Sequence, residues 1–283
     1  MSSTKVREKM AGKMRSMRLL AVLLVSMIAL IMGVAAPQAW ATGFICVDED
    51  GDPMGLDESK VFFEYSSSDE DLGIQFFWDG KPWKWMIVQN GNWRSVLSVG
   101  TLRNLRKLGL TEGFFESAEP GLCQKPDGEE CTESEIEAAK EAFLSRFPEG
   151  TYKFKGMATE GCLLFGDDLL THNLLDPVDL DLEDFPAIEW TEYGEVVKVE
   201  VVVELVVIID DEEIVYKQTT TLPPGIEELT VSPEFVDLIE QDLEDDIVEE
   251  LKVEVVVDEE SGNRTITEEE LCFNEPGDVT DCP

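Results

Sequence analysis

His172 is the only histidine in this chain of 283 residues, so any hydrolytic triad would have to be built on it. Its neighbours Thr171 and Asn173 form no nucleophile motif. The sequence contains no G-x-S-x-G, H-E-x-x-H, P-loop or dinucleotide fingerprint either. His172 therefore reads as a structural residue at a strand end. Paired carboxylates can cleave glycosidic bonds, but the chain holds 61 acidic residues, and a pair drawn from so many carries no information. The tryptophans are more specific. Trp78, Trp83, Trp85 and Trp93 cluster around two turns, and aromatic rings on hairpins can stack on sugars. Trp83, Trp85 and Trp93 are thus candidate ligand-binding residues. Core packing of these large rings is the favoured explanation, and exposure along one open groove would decide between the two.

The 6 cysteines all follow residue 41, an even number that favours disulfides over thiol chemistry. Proximity pairs Cys123 with Cys131 and Cys272 with Cys282, leaving Cys46 for Cys162. A zinc site is disfavoured, because no C-x-x-C occurs and one histidine cannot complete a ligand set. Asp48, Asp50 and Asp52 have the spacing of an EF-hand loop, but Pro53 and Ser59 stand where Gly and Glu are required. The acidic groups at 210–213, 242–246 and 268–270 offer calcium ligands as well. Solvated turns are the expected state of all of them, so no cofactor or metal is implied beyond a weak calcium possibility.

Residues 1–41 read as a signal peptide. Lys5, Arg7, Lys9, Lys13, Arg15 and Arg18 precede an apolar run over 19–36, and Ala39-Trp40-Ala41 has the small-x-small form of a cleavage site. Removing this segment, with six basic residues and one acid, takes the net charge from −39 to −44. Nucleic acid and anionic membranes would be repelled by such a chain. The expected location is the periplasm or the cell exterior, with no membrane contact after cleavage.

The elements that must position these residues are mainly strands. Segments 61–65, 73–78, 83–89 and 95–99 alternate in the strand manner, with hairpin signals at Asp79-Gly80 and Asn90-Gly91. Arg103, Arg106 and Lys107 form a basic cluster in a short helix over 102–108, expected to dock on the protein's own carboxylates. Thr132 and Glu135 form a capping box for a helix ending at Pro148. Residues 150–171 make a hairpin. The β-branched run at 196–209 and its partner at 251–257 alternate apolar and charged positions, as strands of a sandwich do. A helix near Pro233 interrupts them. The domain reading is a β-rich domain with one short helix over 42–176, a β-sandwich over 177–273, and a Cys-closed tail over 274–283.

Ala187-Ile188-Glu189-Trp190, the strand at 196–204, Leu229-Thr230-Val231-Ser232-Pro233, Leu251-Lys252-Val253-Glu254-Val255 and the hairpin at 258–270 together resemble a fibronectin type III domain. The resemblance implies a sandwich with Trp190 in its core. It departs at Leu251, where the family usually has a Tyr that hydrogen-bonds back to the chain. Residues 59–117, with DGKPWKWMIV and GLTEGFFESAEP, resemble N-terminal modules of uncharacterised exported bacterial proteins. The whole reads as an exported non-enzymatic adhesion, scaffold or ligand-binding protein, its partner an unspecified protein or polysaccharide. A secreted carbohydrate-active enzyme or carbohydrate-binding protein using the Trp-rich domain is the alternative.

Overall fold

The structure is a computed structural model that describes residues 44–47, 53–123, 125, 131–209, 212–244, 248–275 and 278–281. The targeting segment and the aspartates at 48, 50 and 52 fall outside these residues. No helix among the described residues is long and apolar enough to cross a membrane.

The molecule is mainly β. Its first half contains β1 (Glu58–Ser66), β2 (Asp71–Gln89), β3 (Ser95–Gly100), β4 (Leu110–Glu116), β5 (Gly150–Ala158) and β6 (Leu163–Leu170). Two helices are inserted, α1 (Leu105–Leu108) and α2 (Glu133–Leu144). The hairpin expected at Asp79-Gly80 does not form. β2 runs through it as one strand of 19 residues. Its first part pairs with β1 and β4, and its second with β3 and β5. The partner change falls at Asp79–Trp83, where the register shifts and Pro82 has no N–H to offer a ladder. β6 comes back to β1, where Asp168 Oδ2 accepts from Val61 N at 2.8 Å, so the sheet curls round its core. That core holds Phe63, Trp78, Trp83, Met86, Tyr152 and Phe154, all without solvent exposure.

The helix α2 begins as its sequence requires. Thr132 N donates to Glu135 Oε2 at 2.8 Å. That bond, with help from Lys125, holds the Glu135 carboxyl down at about 2. Phe143 on its inner face sits edge-on to Phe63, ring centroids 6.3 Å apart.

The second half is a two-sheet sandwich. A small sheet has the order β11 (Glu228–Thr230), β8 (Ala187–Thr191), β7 (Asp179–Asp181). Facing it are β10 (Glu212–Leu222), β9 (Lys198–Ile209), β12 (Val248–Asp258) and β13 (Arg264–Glu275), neighbours in that order, with β14 (Asp278–Asp281) on β13. Alternation in β9 and β12 turns Val199, Val201, Val203, Val253, Val255 and Val257 inward, onto Ile188 and Trp190. Helix α3 (Pro233–Glu244) adds Phe235 to this core. Ser232 starts it, its Oγ accepting from Phe235 N at 3.3 Å and donating to Gln218 Oε1 at 2.9 Å. Leu251, in place of the family's Tyr, is buried in the same core.

The two hydrophobic clusters are separate, one ending at Leu174 and the other beginning at Leu175. The sheet is nevertheless continuous across them. β1 pairs in parallel with β13 through Glu64, Tyr65 and Ser66 against Arg264, Thr265 and Ile266.

Candidate functional site

Simple alternation puts Trp83 and Trp85 on one face of β2. The structure separates them. Opposite β5, Trp83 pairs with Ala158 and Trp85 with Met157, so Lys84 is an extra residue, a bulge. The bulge sends Trp83 into the core, fully buried, beside Trp78 at 5.7 Å between rings. Trp83 cannot meet a ligand. Trp85 is half-buried on the other face, in line with Ile87 and Gln89.

Trp93 is different again. It sits in the β2–β3 turn with 60% of its surface exposed. Its φ is +61°, the left-handed region that disfavours large side chains. Asn90, itself buried, enforces this: its Oδ1 accepts from Asn92 N at 3.1 Å and Arg94 N at 3.0 Å, and its O accepts from Trp93 N at 2.8 Å. The adjacent Gly91, which would take such a φ freely, is not used for it. Strain of this kind, held in place by neighbours, is characteristic of functional positions. Lys153 Nζ and Lys155 Nζ lie 4.3 and 4.7 Å from the Trp93 ring centroid. Both come from the outer face of β5, opposite the buried Tyr152 and Phe154. The result is an exposed aromatic ring flanked by two ammonium groups on an open sheet face.

The basic cluster behaves unlike its expectation. Among the described residues no carboxylate is in salt-bridge contact with Arg103, Arg106 or Lys107. The cluster rises from the surface with α1, and Leu102 and Leu108 beside it are 76% and 74% exposed. Arg103, just before the helix, has a φ of +51°, in the left-handed region.

The other candidates are structural. His172 Nε2 meets the Phe147 carbonyl at 2.7 Å, and its backbone N–H donates to Glu149 Oε1. Cys46 is bonded to Cys162 and Cys123 to Cys131. Cys272 and Cys282 lie outside the described side chains. In the acidic run at 268–270, Glu268 is taken up by Lys252 at 2.5 Å.

One carboxylate group escaped the sequence reading. Glu64, Glu116 and Glu119 bring oxygens within 4.8 Å of one another, a geometry able to hold a cation. Burial, then repulsion from Glu116 and Asp71, pushes the Glu119 carboxyl up to about 7. Burial also raises Glu64, against the pull of Arg264 at 3.7 Å. Gly73 makes the space, since a Cβ there would lie 2.5 Å from Glu119 Oε1. Glu116 and Glu119 stand three residues apart at the end of β4 and just beyond it, and Glu64 reaches them from β1, so no local motif contains all three.

No protein-family model matches the chain, and no curated protein matches it. Among solved structures it is similar to the BSP domain of a biofilm-associated protein, at 10% identity and a TM-score of 0.22 over 79% of this chain and 30% of that one. It is similar also to a 1.5-MDa bacterial ice-binding adhesin described for host cell surface retention, at 11% identity and 0.20, over 74% of this chain and 62% of the other. The FN1–FN3 domains of chicken CNTN1 match at 8% identity and 0.27, over 81% and 67%. The chain thus spans less than a third of the first of these structures and under two thirds of the second.

Proposed function

We propose that this is an exported, non-enzymatic adhesion or scaffold protein that holds a ligand on the open face carrying Trp93. One observation carries the reading. A large ring is kept exposed, in a backbone conformation that costs stability, between two lysines that have no carboxylate in salt-bridge contact among the described residues. Packing does not require that arrangement, and a role in ligand contact accounts for it. The fibronectin type III resemblance gains support from the order β11-β8-β7 against β10-β9-β12-β13, and domains of that kind mostly present surfaces or space other domains. The two disulfides fit an oxidising compartment outside the cytoplasm.

Co-sedimentation with insoluble polysaccharides, combined with an assay for new reducing ends, tests this. Saturable binding without product is expected, lost in Trp93→Gly. Reducing ends that accumulate with time would make the protein an enzyme and overturn the reading.

A further inference from the structure

Charge is segregated along this chain. Residues 80–111 contain no Asp or Glu but six basic residues, Lys81, Lys84, Arg94, Arg103, Arg106 and Lys107, in a chain with 61 acids. The fold places that stretch beside the other acid-free strand, β5, which carries Lys153 and Lys155. Elsewhere among the described residues Lys60, Lys125, Lys140, Lys198, Lys217, Lys252 and Arg264 each contact a carboxylate, and Arg146 lies over the Phe143 ring. Lys84 donates to the Thr159 carbonyl. Among the described residues, Lys81, Arg94, Arg103, Arg106, Lys107, Lys153 and Lys155 have no carboxylate in salt-bridge contact.

These cations gather at the two ends of β3, which joins them into a track. It starts at Trp93 with Lys153 and Lys155, and passes Trp85, which pairs with Gly100 at the far end of β3. It ends where Thr101 N, bonded to the Lys84 carbonyl at 2.8 Å, leads into α1 with Arg103, Arg106 and Lys107. β3 has six residues, so the track is about 20 Å long. Exposed Asp167, opposite Lys153 on β6, marks its edge.

Resting on the binding reading above, we infer that this track from Trp93 to α1 binds an acidic polysaccharide. Two groups of cations at the ends of an extended strand match carboxylates repeated along a polymer. The exposed ring of Trp93 supplies a flat apolar platform for a sugar ring, with its two lysines placed to meet the sugar's acid group. The acidic remainder of the molecule repels the polymer everywhere else, which fixes the contact to this face. A lipid headgroup layer or a single-stranded nucleic acid offers the same charge, but the first has no ring for Trp93 and neither is the repeated sugar acid that the paired lysines fit.

Binding of the exported chain to alginate, dextran, polyglutamate, oligothymidine and phosphatidylglycerol vesicles decides the matter. Alginate should bind tightest, with log affinity falling as log salt rises. Lys153→Glu/Lys155→Glu and Arg103→Gln/Arg106→Gln/Lys107→Gln should each weaken it roughly tenfold or more and flatten the salt slope. Lys217→Gln, in the other half, should not. Trp93→Gly should lose alginate binding while keeping the wild-type melting temperature, because glycine accepts the left-handed turn. Dextran binding that survives the charge changes would leave a ligand-binding protein standing and overturn the acidic polymer. Tighter binding of oligothymidine or vesicles than alginate, or equal binding of polyglutamate, would overturn the sugar. Binding of none of the five probes would overturn the inference, and co-sedimentation with neutral polysaccharides would then judge the binding reading separately.

Discussion

Asn263 Oδ1 accepts a hydrogen bond from Phe63 N at 2.8 Å across 200 residues of sequence. The other end of the same amide donates to the Thr171 carbonyl at 3.1 Å and the Asn173 carbonyl at 2.8 Å. One side chain, 1% exposed, thereby ties β1, the end of the β6 segment and the start of β13 together. Its place in an Asn-x-Thr sequon is incidental, since a buried amide with both ends bonded has no room for a glycan.

Asn263→Leu leaves a buried N–H and two carbonyls without their partner. The expected cost is about 3 kcal/mol, since each unsatisfied buried group costs about 1–3 kcal/mol and relaxation recovers part of it. Asn263→Asp retains the acceptor for Phe63 but loses the donors, and adds a charge that must be buried, so it should be no better. Urea denaturation measures both. A cost under about 0.5 kcal/mol for Asn263→Leu, the range of ordinary surface changes, would mean that the halves are joined without it.

The two disulfides should differ in weight. Cys46 and Cys162 are 116 residues apart, Cys123 and Cys131 only 8. Loop-closure entropy gives about 5 kcal/mol for the first and about 2.5 kcal/mol for the second. Replacing each pair by serine and comparing denaturation midpoints checks the order. Equal losses would show that the bridges act through the folded state rather than the unfolded chain.

Some of this architecture was legible in the sequence because it rests on periodicity. The inward valines of β9 and β12 and the burial of Trp190 follow from alternation alone. The capping box at Thr132 joins two residues three positions apart and needs nothing distant. What failed was whatever depended on a partner strand. Asp79-Gly80 has hairpin chemistry, yet β4 and β5 supply partners on either side, and the chain runs straight through. Trp83 and Trp85 share a face by counting, until the bulge at Lys84 divides them. The acid-free interval from 80 to 111 was in plain view, but it becomes a surface only when β5 is placed beside it. The glutamate trio needed β1 to meet the end of β4.

That trio gives stability a pH dependence. Glu119 is held at about 7 against an ordinary 4.5, by burial first and then by Glu116 and Asp71. A raised acid binds its proton more tightly in the folded state, so folding stability falls as pH rises from about 4.5 to about 7 and returns on acidification. Glu119→Gln removes the titration. The variant should melt higher than wild type at pH 8, and the gap should close towards pH 5. Net negative charge elsewhere moves both proteins alike, so the difference between them isolates Glu119. Parallel melting curves across that range would show that the carboxyl titrates normally.

Trp190 is the main anchor of the sandwich. It is 3% exposed, between the small sheet and the long strands, with Ile188 on the same face of β8. Its indole Nε1 is buried without a hydrogen-bond partner, so the ring acts there through volume alone. Trp190→Ala should cost about 3–5 kcal/mol, a large part of the roughly 5–15 kcal/mol typical of a domain. Trp190→Phe forfeits no hydrogen bond and keeps most of the volume, so it should cost under about 1.5 kcal/mol. In hydrogen exchange, Trp190→Ala should expose the amides of β8, β9 and β12 first. β2 and β5 should stay protected, because they belong to a core that shares no residue with this one and because β1 and β13 are joined over only three paired positions. If β2 and β5 open together with β9, the continuous sheet and the Asn263 bonds couple the two cores more strongly than the side-chain packing separates them.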